Sequence, residues 1–81
     1  DIGMAEVMVP ANSPLIGKTV VENRFRSEFD LTVVGLRRAN IPRAEGILGE
    51  PLRIGDTLLL IGPWRAIRRL QVDRRHLIVL G

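Results

Sequence analysis

The residues with the most recognisable chemistry are Gly17-Lys18-Thr19, which look like the end of a phosphate-binding loop. The full signature needs another glycine five residues before Gly17, and Asn12 occupies that position. Pro14 would also stiffen a loop whose amides must wrap around phosphates. We therefore exclude nucleotide hydrolysis and expect a plain helix start here. A weaker possibility stays open, because amides at a helix start beside Lys18 could hold one anion.

The best polar cluster for capturing a ligand is formed by Arg37, Arg38 and Asn40, at the end of a predicted strand that runs into a loop. An arginine guanidinium presents a fixed fork that matches the oxygens of a phosphate. With Lys18 near the predicted helix start, these residues form our predicted ligand-binding set. The alternative is that they are charged strand-end residues that keep the sheet soluble.

Residue types that support catalysis are scarce in this chain. His76 is the one histidine, and there is no cysteine. A metal site or a histidine-dependent catalytic pair therefore has nothing to be built from. Glu45 and Glu50 share a loop, but nothing suggests a paired acid and base. We predict no enzymatic activity, no metal and no cofactor.

The net charge of +3 comes from eleven arginines and one lysine against nine acidic residues. An excess of arginine is compatible with an anionic partner, which could be nucleic acid, a phosphorylated ligand or anionic lipid. A solvated, charged surface also explains it, and we favour this interpretation because charged runs usually serve solubility and acidic residues are interspersed among the arginines. Nucleic acid ranks third among our functions, because tyrosine is absent and Trp64, Phe25 and Phe29 fall at predicted core positions, which leaves no stacking platform.

Hydrophobic periodicity predicts the helices and strands that carry the candidate residues. We expect Ile16, Val20 and Val21 to point inward from the first helix, with Phe25 and Phe29 on a second turn. Trp64, Ile67 and Leu70 should share the buried face of the last helix. The predicted elements are a strand at 5–9, a helix from 18 to about 23, a strand at 31–38, a short strand near 46–48, a strand at 58–61, a helix from Pro63 and a strand at 76–80.

This order predicts an α+β fold: a small two-layer sandwich with a largely antiparallel sheet and two helices on one face. The strands at 31–38 and 58–61 are apolar on both faces and need cover on both. A chain of 81 residues has a marginal core, burying only about 60–65% of its unfolded surface. We therefore expect one domain, 1–81, that forms a homodimer and is part of a longer protein.

Three segments, 12–19, 31–38 and 52–62, resemble in order and spacing the TrkA C-terminal domain, the module also known from regulators of potassium conductance. The resemblance runs from about Ala5 to Leu70. It implies the same α+β architecture, dimerisation, and a regulatory role on the cytoplasmic side of the bacterial inner membrane, beside the membrane-spanning part of the same parent protein.

Some members of that family bind a cyclic dinucleotide at the dimer interface, so the resemblance also implies a small anionic ligand. For the parent we prefer a sodium-coupled anion permease to a potassium uptake system. A purely structural dimerisation module without a ligand is the second hypothesis.

Overall fold

The computed structural model describes residues 1–43 and 45–81. A five-stranded sheet has the order β3-β2-β4-β1-β5, and every neighbouring pair is antiparallel. The predicted α+β sandwich is therefore confirmed. The elements are β1 (Ile2–Met8), α1 (Val20–Asn23), α2 (Phe25–Phe29), β2 (Thr32–Arg38), β3 (Ile41–Arg43), a 3₁₀ turn (Ile47–Gly49), β4 (Thr57–Pro63), α3 (Trp64–Val72) and β5 (Ile78–Val79).

The helix predicted from 18 to about 23 is the shorter α1, and a separate helix, α2, follows it directly after Arg24. Thr19 caps α1, with its hydroxyl accepting from the Glu22 amide and the Glu22 carboxylate accepting from the Thr19 amide. Arg24 then has a φ of 55°, a left-handed conformation that ends α1 before α2 begins. The Asn23 side chain ties this junction to the preceding loop by donating to the Leu15 carbonyl at 3.0 Å.

The prediction of a short strand near 46–48 is wrong: the third strand is β3, and residues 47–49 form the 3₁₀ turn. Ala39 and Asn40 both have positive φ, 52° and 63°, which makes the two-residue turn typical of a tight hairpin. The chain therefore reverses directly after β2. Pro42 fits in β3 because an edge strand can lack one ladder donor.

The core lies between one face of the sheet and the helices. Val7 pairs with Leu58, and Leu60 pairs with Val33, so these four side chains share a face. All four are buried, together with Ile67 of α3 and other apolar side chains from both helical regions. Leu58 and Leu60 are thus the alternating pair of β4 that faces the helices.

Two side chains predicted to point inward are exposed. Val21 is 63% exposed, because the short α1 turns Val20 and Asn23 inward instead. Trp64 is 45% exposed: it is the first residue of α3, and its ring lies over Gly3 at the edge of the core rather than beside Ile67 and Leu70. The predicted inward positions of Ile67, Leu70 and Phe25 are confirmed.

Candidate functional site

The face of the sheet opposite the helices carries a set of apolar side chains that remain accessible. Alternation along β1 and β4 places Ile2, Met4, Leu59 and Ile61 there, and Val34, at the register irregularity of β2, lines a hollow together with Leu59. Ile2 is 68% exposed, Met4 56% and Val34 45%. We call this surface, made by Ile2, Met4, Val34, Leu59 and Ile61, the open face.

A hollow of about 430 Å³ lies on this side of the sheet, over Gly35. Gly35 pairs with Leu59 next to an irregularity in the β2–β4 register, and it has no side chain to fill the space. A Cβ atom built on Gly35 would lie 3.5 Å from the Leu59 Cβ, an ordinary contact distance. Glu6 and Arg37 are at the rim, so the hollow has an apolar floor and charged edges.

Arg37 and Arg38 are adjacent in β2 and therefore point to opposite sides of the sheet. Arg37 pairs with Thr57 on one side and Pro42 on the other, and its side chain is exposed beside the hollow. Among the described residues no carboxylate forms an ion pair with Arg37. Its guanidinium is available to an anion from outside the chain.

Arg38, in contrast, is held within the chain. Its Nε and Nη2 donate to the two oxygens of Asp56 at 2.9 and 2.8 Å, and Nη1 donates to Glu50 at 3.0 Å. Nη2 also donates to the Pro51 carbonyl at 2.9 Å. The hydrogen bond to Asp56 is the main cause that raises the Arg38 pKa above its ordinary value. Four of the five guanidinium N–H groups are thus already used.

The two carboxylates around Arg38 differ in their surroundings. Asp56 is 1% exposed and also accepts from the Arg53 amide at 2.8 Å. Glu50 is partly exposed and accepts from Arg43 at 2.8 Å as well as from Arg38. The hydrogen bond from Arg38 lowers the pKa of Glu50, more than partial burial raises it, and the charge of Arg43 acts in the same direction. This network fastens the end of β2 to the loop that leads into β4.

The other two predicted ligand residues are Asn40, in the same hairpin as Arg37, and Lys18, in a different segment. Asn40 is exposed in the same hairpin turn. Lys18 is also exposed, but its carbonyl accepts from the Leu52 amide at 2.9 Å. It is therefore attached to the 50–53 segment, to which Arg38 also donates at Glu50 and Pro51. Arg37 and Asn40 thus belong to one hairpin, whereas Lys18 lies in a different segment that is hydrogen-bonded to Leu52.

The segment Gly17-Lys18-Thr19 has the structure of a helix start. The amide of Thr19 donates to Glu22 and the amide of Gly17 donates to the Leu52 carbonyl at 2.8 Å. A phosphate would have to displace both partners, and α1 has only four residues. The arrangement agrees with the plain helix start expected from the missing glycine.

The roles of three residues in this region were not predicted from the sequence. Asp56 had no predicted role and Glu50 was placed only in a loop shared with Glu45, although Gly55-Asp56 directly before a strand is a pattern that can place a carboxylate in a turn. Gly35 inside a strand is a recognised signal for an irregular register, and it could have indicated the hollow.

Residues 1–43 and 45–81 contain neither a group of metal-binding side chains nor a membrane-spanning helix. No group of three His, Cys, Asp or Glu side chains within them is arranged to hold a metal ion. None of the helices found there is long and apolar enough to cross a membrane.

The fold is that of a small α+β domain, with an antiparallel sheet that the helices cover on one face. The TrkA-C domain model matches residues 4–72, and the chain belongs to this family. The resemblance drawn from segments 12–19, 31–38 and 52–62 is thereby confirmed.

Two relatives are named transporters. The chain is 40% identical over all of its 81 residues to the uncharacterized transporter YfbS of Escherichia coli. It is 37% identical over 76 residues, 94% of its length, to the uncharacterized transporter sll0640 of Synechocystis. The chain spans only 13% and 12% of the length of these relatives.

Solved structures with the same fold include the RCK_C domain dimer of S. agalactiae BusR in complex with c-di-AMP. It superimposes with a TM-score of 0.72 at 18% identity, over 85% of this chain and 91% of the other. The RCK C domain of the potassium transport protein KtrA, also in complex with c-di-AMP, has the same score and identity over 90% of this chain and 84% of its own. At this level of identity the likeness shows the fold.

Proposed function

We propose that this chain is a regulatory domain of a membrane ion transporter, which pairs with a second copy through the open face and binds an anionic ligand where the two copies meet. The observation that carries the proposal is the position of Arg37, exposed on the apolar face that the helices leave uncovered. The two relatives are named transporters, which supports the proposal that the domain belongs to a transporter.

The pairing of two copies follows from the apolar side chains of the open face. Ile2, Met4 and Val34 are about half exposed or more, while Leu59 and Ile61 lie between them on the same surface. Burying such side chains contributes about 25 cal/mol for each Å² removed from water. A second copy is the natural cover, because a two-fold axis lets the same patch serve both partners.

The ligand class follows from symmetry and charge. Two copies related by a two-fold axis would bring two Arg37 guanidinium groups and two hollows over Gly35 to one interface. A cyclic dinucleotide carries two phosphates on a ring of matching symmetry, so each phosphate could take one arginine fork. BusR and KtrA, which share the fold, are described in complex with c-di-AMP, which makes this compound the first probe.

We assign the predicted ligand residues different roles. Arg37 and Asn40 would contact the ligand from the hairpin, and Lys18 would add charge from the segment bonded to Leu52. Arg38 would act indirectly, by fixing the hairpin through Asp56 and Glu50.

For the parent protein we propose a sodium-coupled anion permease in preference to a potassium uptake system, on the resemblance given above. The domain would lie on the cytoplasmic side of the bacterial inner membrane, beside the membrane-spanning part of the same protein.

The second candidate is a dimerisation module that has no ligand. The internal bonding of Arg38 favours it, because one of the four predicted ligand residues already uses most of its donors within the chain.

Calorimetric titration with c-di-AMP tests the ligand proposal. We expect one ligand for each two chains and a loss of affinity of tenfold or more in Arg37→Ala, about the value of one charge-assisted hydrogen bond. Arg53→Ala, which removes another exposed arginine, is the matched control and should bind as the wild type does. A dimer that gives no heat with c-di-AMP would favour the structural module. Unchanged binding by Arg37→Ala would place the site elsewhere.

A further inference from the structure

The net positive charge of the chain is concentrated in one short segment. Residues 64–75 contain five arginines and one aspartate, which gives a charge of +4. The rest of the chain contains seven basic and eight acidic residues, a charge of −1, so this segment accounts for all of the net +3. A general preference for arginine would spread the charge over the surface and does not explain this distribution.

The fold presents this charge on one side of the molecule. In α3, Ala66, Ile67 and Leu70 are buried, and the opposite side of the helix faces solvent. Trp64, Arg68 and Val72 follow one another at four-residue spacing along that side, with Arg65 and Arg69 beside them. Arg74 and Arg75 continue the charge in the turn that follows and are exposed. We call this surface the arginine face.

Nearby acidic groups neutralise only part of it. Arg65 forms an exposed ion pair with Asp30 at 3.3 Å, which is worth little in water. Asp73 contacts His76 at 3.3 Å and accepts from the Arg75 amide. Arg68, Arg69 and Arg74 form no ion pair among the described residues. The face therefore has strong positive charge left for a partner.

Two apolar side chains of this face are accessible, although one side of the Trp64 ring packs against Gly3. Val72 is 86% exposed and Trp64 is 45% exposed. Tryptophan favours the boundary between water and lipid, where its ring is partly buried and its N–H stays hydrated. Arginines mixed with tryptophan and an aliphatic residue are typical of a surface that binds anionic lipid headgroups.

We propose that the arginine face docks this domain onto a bilayer surface rich in anionic phospholipid. This goes beyond the proposed ligand site and takes from the proposed function only the placement of the domain next to a membrane. Since α3 packs on the side of the sheet away from the open face, lipid contact and pairing of two copies use different surfaces. A domain tethered to a membrane protein needs only weak affinity, because tethering keeps the lipid surface at a high effective concentration.

Vesicle binding followed by the fluorescence of Trp64, the one tryptophan of the chain, tests the proposal. With vesicles of equal parts phosphatidylglycerol and phosphatidylcholine at about 0.05 M salt, we expect co-sedimentation and a blue shift of the emission. Pure phosphatidylcholine vesicles should give neither. Raising the salt to about 0.5 M should release the protein, because screening shortens the range of the attraction.

The variant Arg68→Gln/Arg69→Gln/Arg74→Gln should lower the partition coefficient on the order of 100-fold, since each arginine near an anionic surface is worth about fivefold. Its matched control, Arg24→Gln/Arg26→Gln/Arg53→Gln, removes the same charge from exposed positions elsewhere and should stay within about threefold of the wild type. Both variants change only exposed side chains, and their thermal unfolding checks that the fold is intact.

Three results would overturn the proposal. The first is no association with anionic vesicles at low salt, and the second is an equal loss in both triple variants. The third is tighter binding to a DNA duplex than to vesicles, lost in the same variant, which would assign the face to nucleic acid. None of these results bears on the binding of c-di-AMP at Arg37.

Discussion

The guanidinium of Arg38 lies against both carboxylate oxygens of Asp56, with Nε 2.9 Å from Oδ1 and Nη2 2.8 Å from Oδ2. The Asp56 side chain is 1% exposed and that of Arg38 is 14% exposed. The pair joins the last residue of β2 to the residue directly before β4. It therefore sets the position of the hairpin that carries Arg37 and Asn40.

Removal of Arg38 should destabilise the domain strongly. Arg38→Ala leaves the buried Asp56 without its charged partner, which typically costs about 3 kcal/mol. Arg38→Lys should recover only part of this, because an ammonium cannot span both oxygens as the guanidinium does. Urea unfolding measures both, with Arg37→Ala as the exposed control within about 0.5 kcal/mol of the wild type. A similar small effect for Arg38→Ala would mean that the pair contributes nothing net.

Glu50 should make the stability depend on pH in acid solution. Its pKa is lowered in the folded state from the ordinary value of 4.5, mainly by the hydrogen bond from Arg38. The stabilisation is therefore complete above pH 4.5 and is lost as the pH falls through the folded-state pKa. Compared with Glu50→Gln, the wild type should be more stable at neutral pH and lose that advantage below pH 4.5. Urea midpoints that differ by a constant amount at every pH would contradict the assignment.

Two close approaches of glycine predict different responses to an added methyl group. A Cβ on Gly62 would lie 2.7 Å from the Asp30 carbonyl oxygen, which belongs to the backbone and cannot easily move. A Cβ on Gly3 would lie 2.3 Å from the Trp64 ring, a partly exposed side chain that can swing away. Gly62→Ala should cost about 2 kcal/mol or more, the range of overpacked sites.

Gly3→Ala should cost less than Gly62→Ala but change the tryptophan fluorescence, because the ring is displaced. Gly49→Ala, whose Cβ would meet nothing within 4 Å, is the control for both. Thermal unfolding and emission spectra measure these effects together. An equal loss of stability for Gly62→Ala and Gly49→Ala would show that β4 and the Asp30 backbone can move apart freely.

Local pattern predicted the strands well because alternation of burial is a property of each strand alone. Val7 and Leu58, for example, belong to segments whose faces can be recognised within a few residues. The hairpin after β2 was missed because Ala39 rarely adopts a positive φ, and the sequence gives no sign that it does so here. The structure of that loop therefore depended on the tertiary context.

The role of Arg38 could not be predicted for a related reason. Its partners Glu50 and Asp56 are 12 and 18 residues away, and the register of β2 against β4 brings them together. Neighbouring arginines look equivalent in the sequence, although Arg37 is exposed and Arg38 is paired. The different roles of Arg37 and Arg38 follow from their positions in the sheet, where neighbouring residues of a strand point to opposite sides.

The two faces of β4 should respond differently to truncation. Leu58 and Leu60 are fully buried against the helices, so replacement by Ala should cost about 2–5 kcal/mol of unfolding free energy. Leu59 and Ile61 lie on the open face, and their truncation should weaken self-association more than it lowers the stability of one chain. Unfolding at several protein concentrations separates the two effects. Equal losses at all four positions would show that the open face is packed within one chain.

The proposed pairing through the open face is tested most directly by sedimentation equilibrium of the wild type and Met4→Glu. Met4 is 56% exposed on the open face, and a carboxylate there would have to be desolvated in the pair. Val72→Glu, an exposed apolar position on α3, is the matched control. We expect the wild type and Val72→Glu to be dimers at micromolar concentration and Met4→Glu to be a folded monomer. A monomeric wild type, or a Met4→Glu dimer as tight as the wild type, would contradict the account.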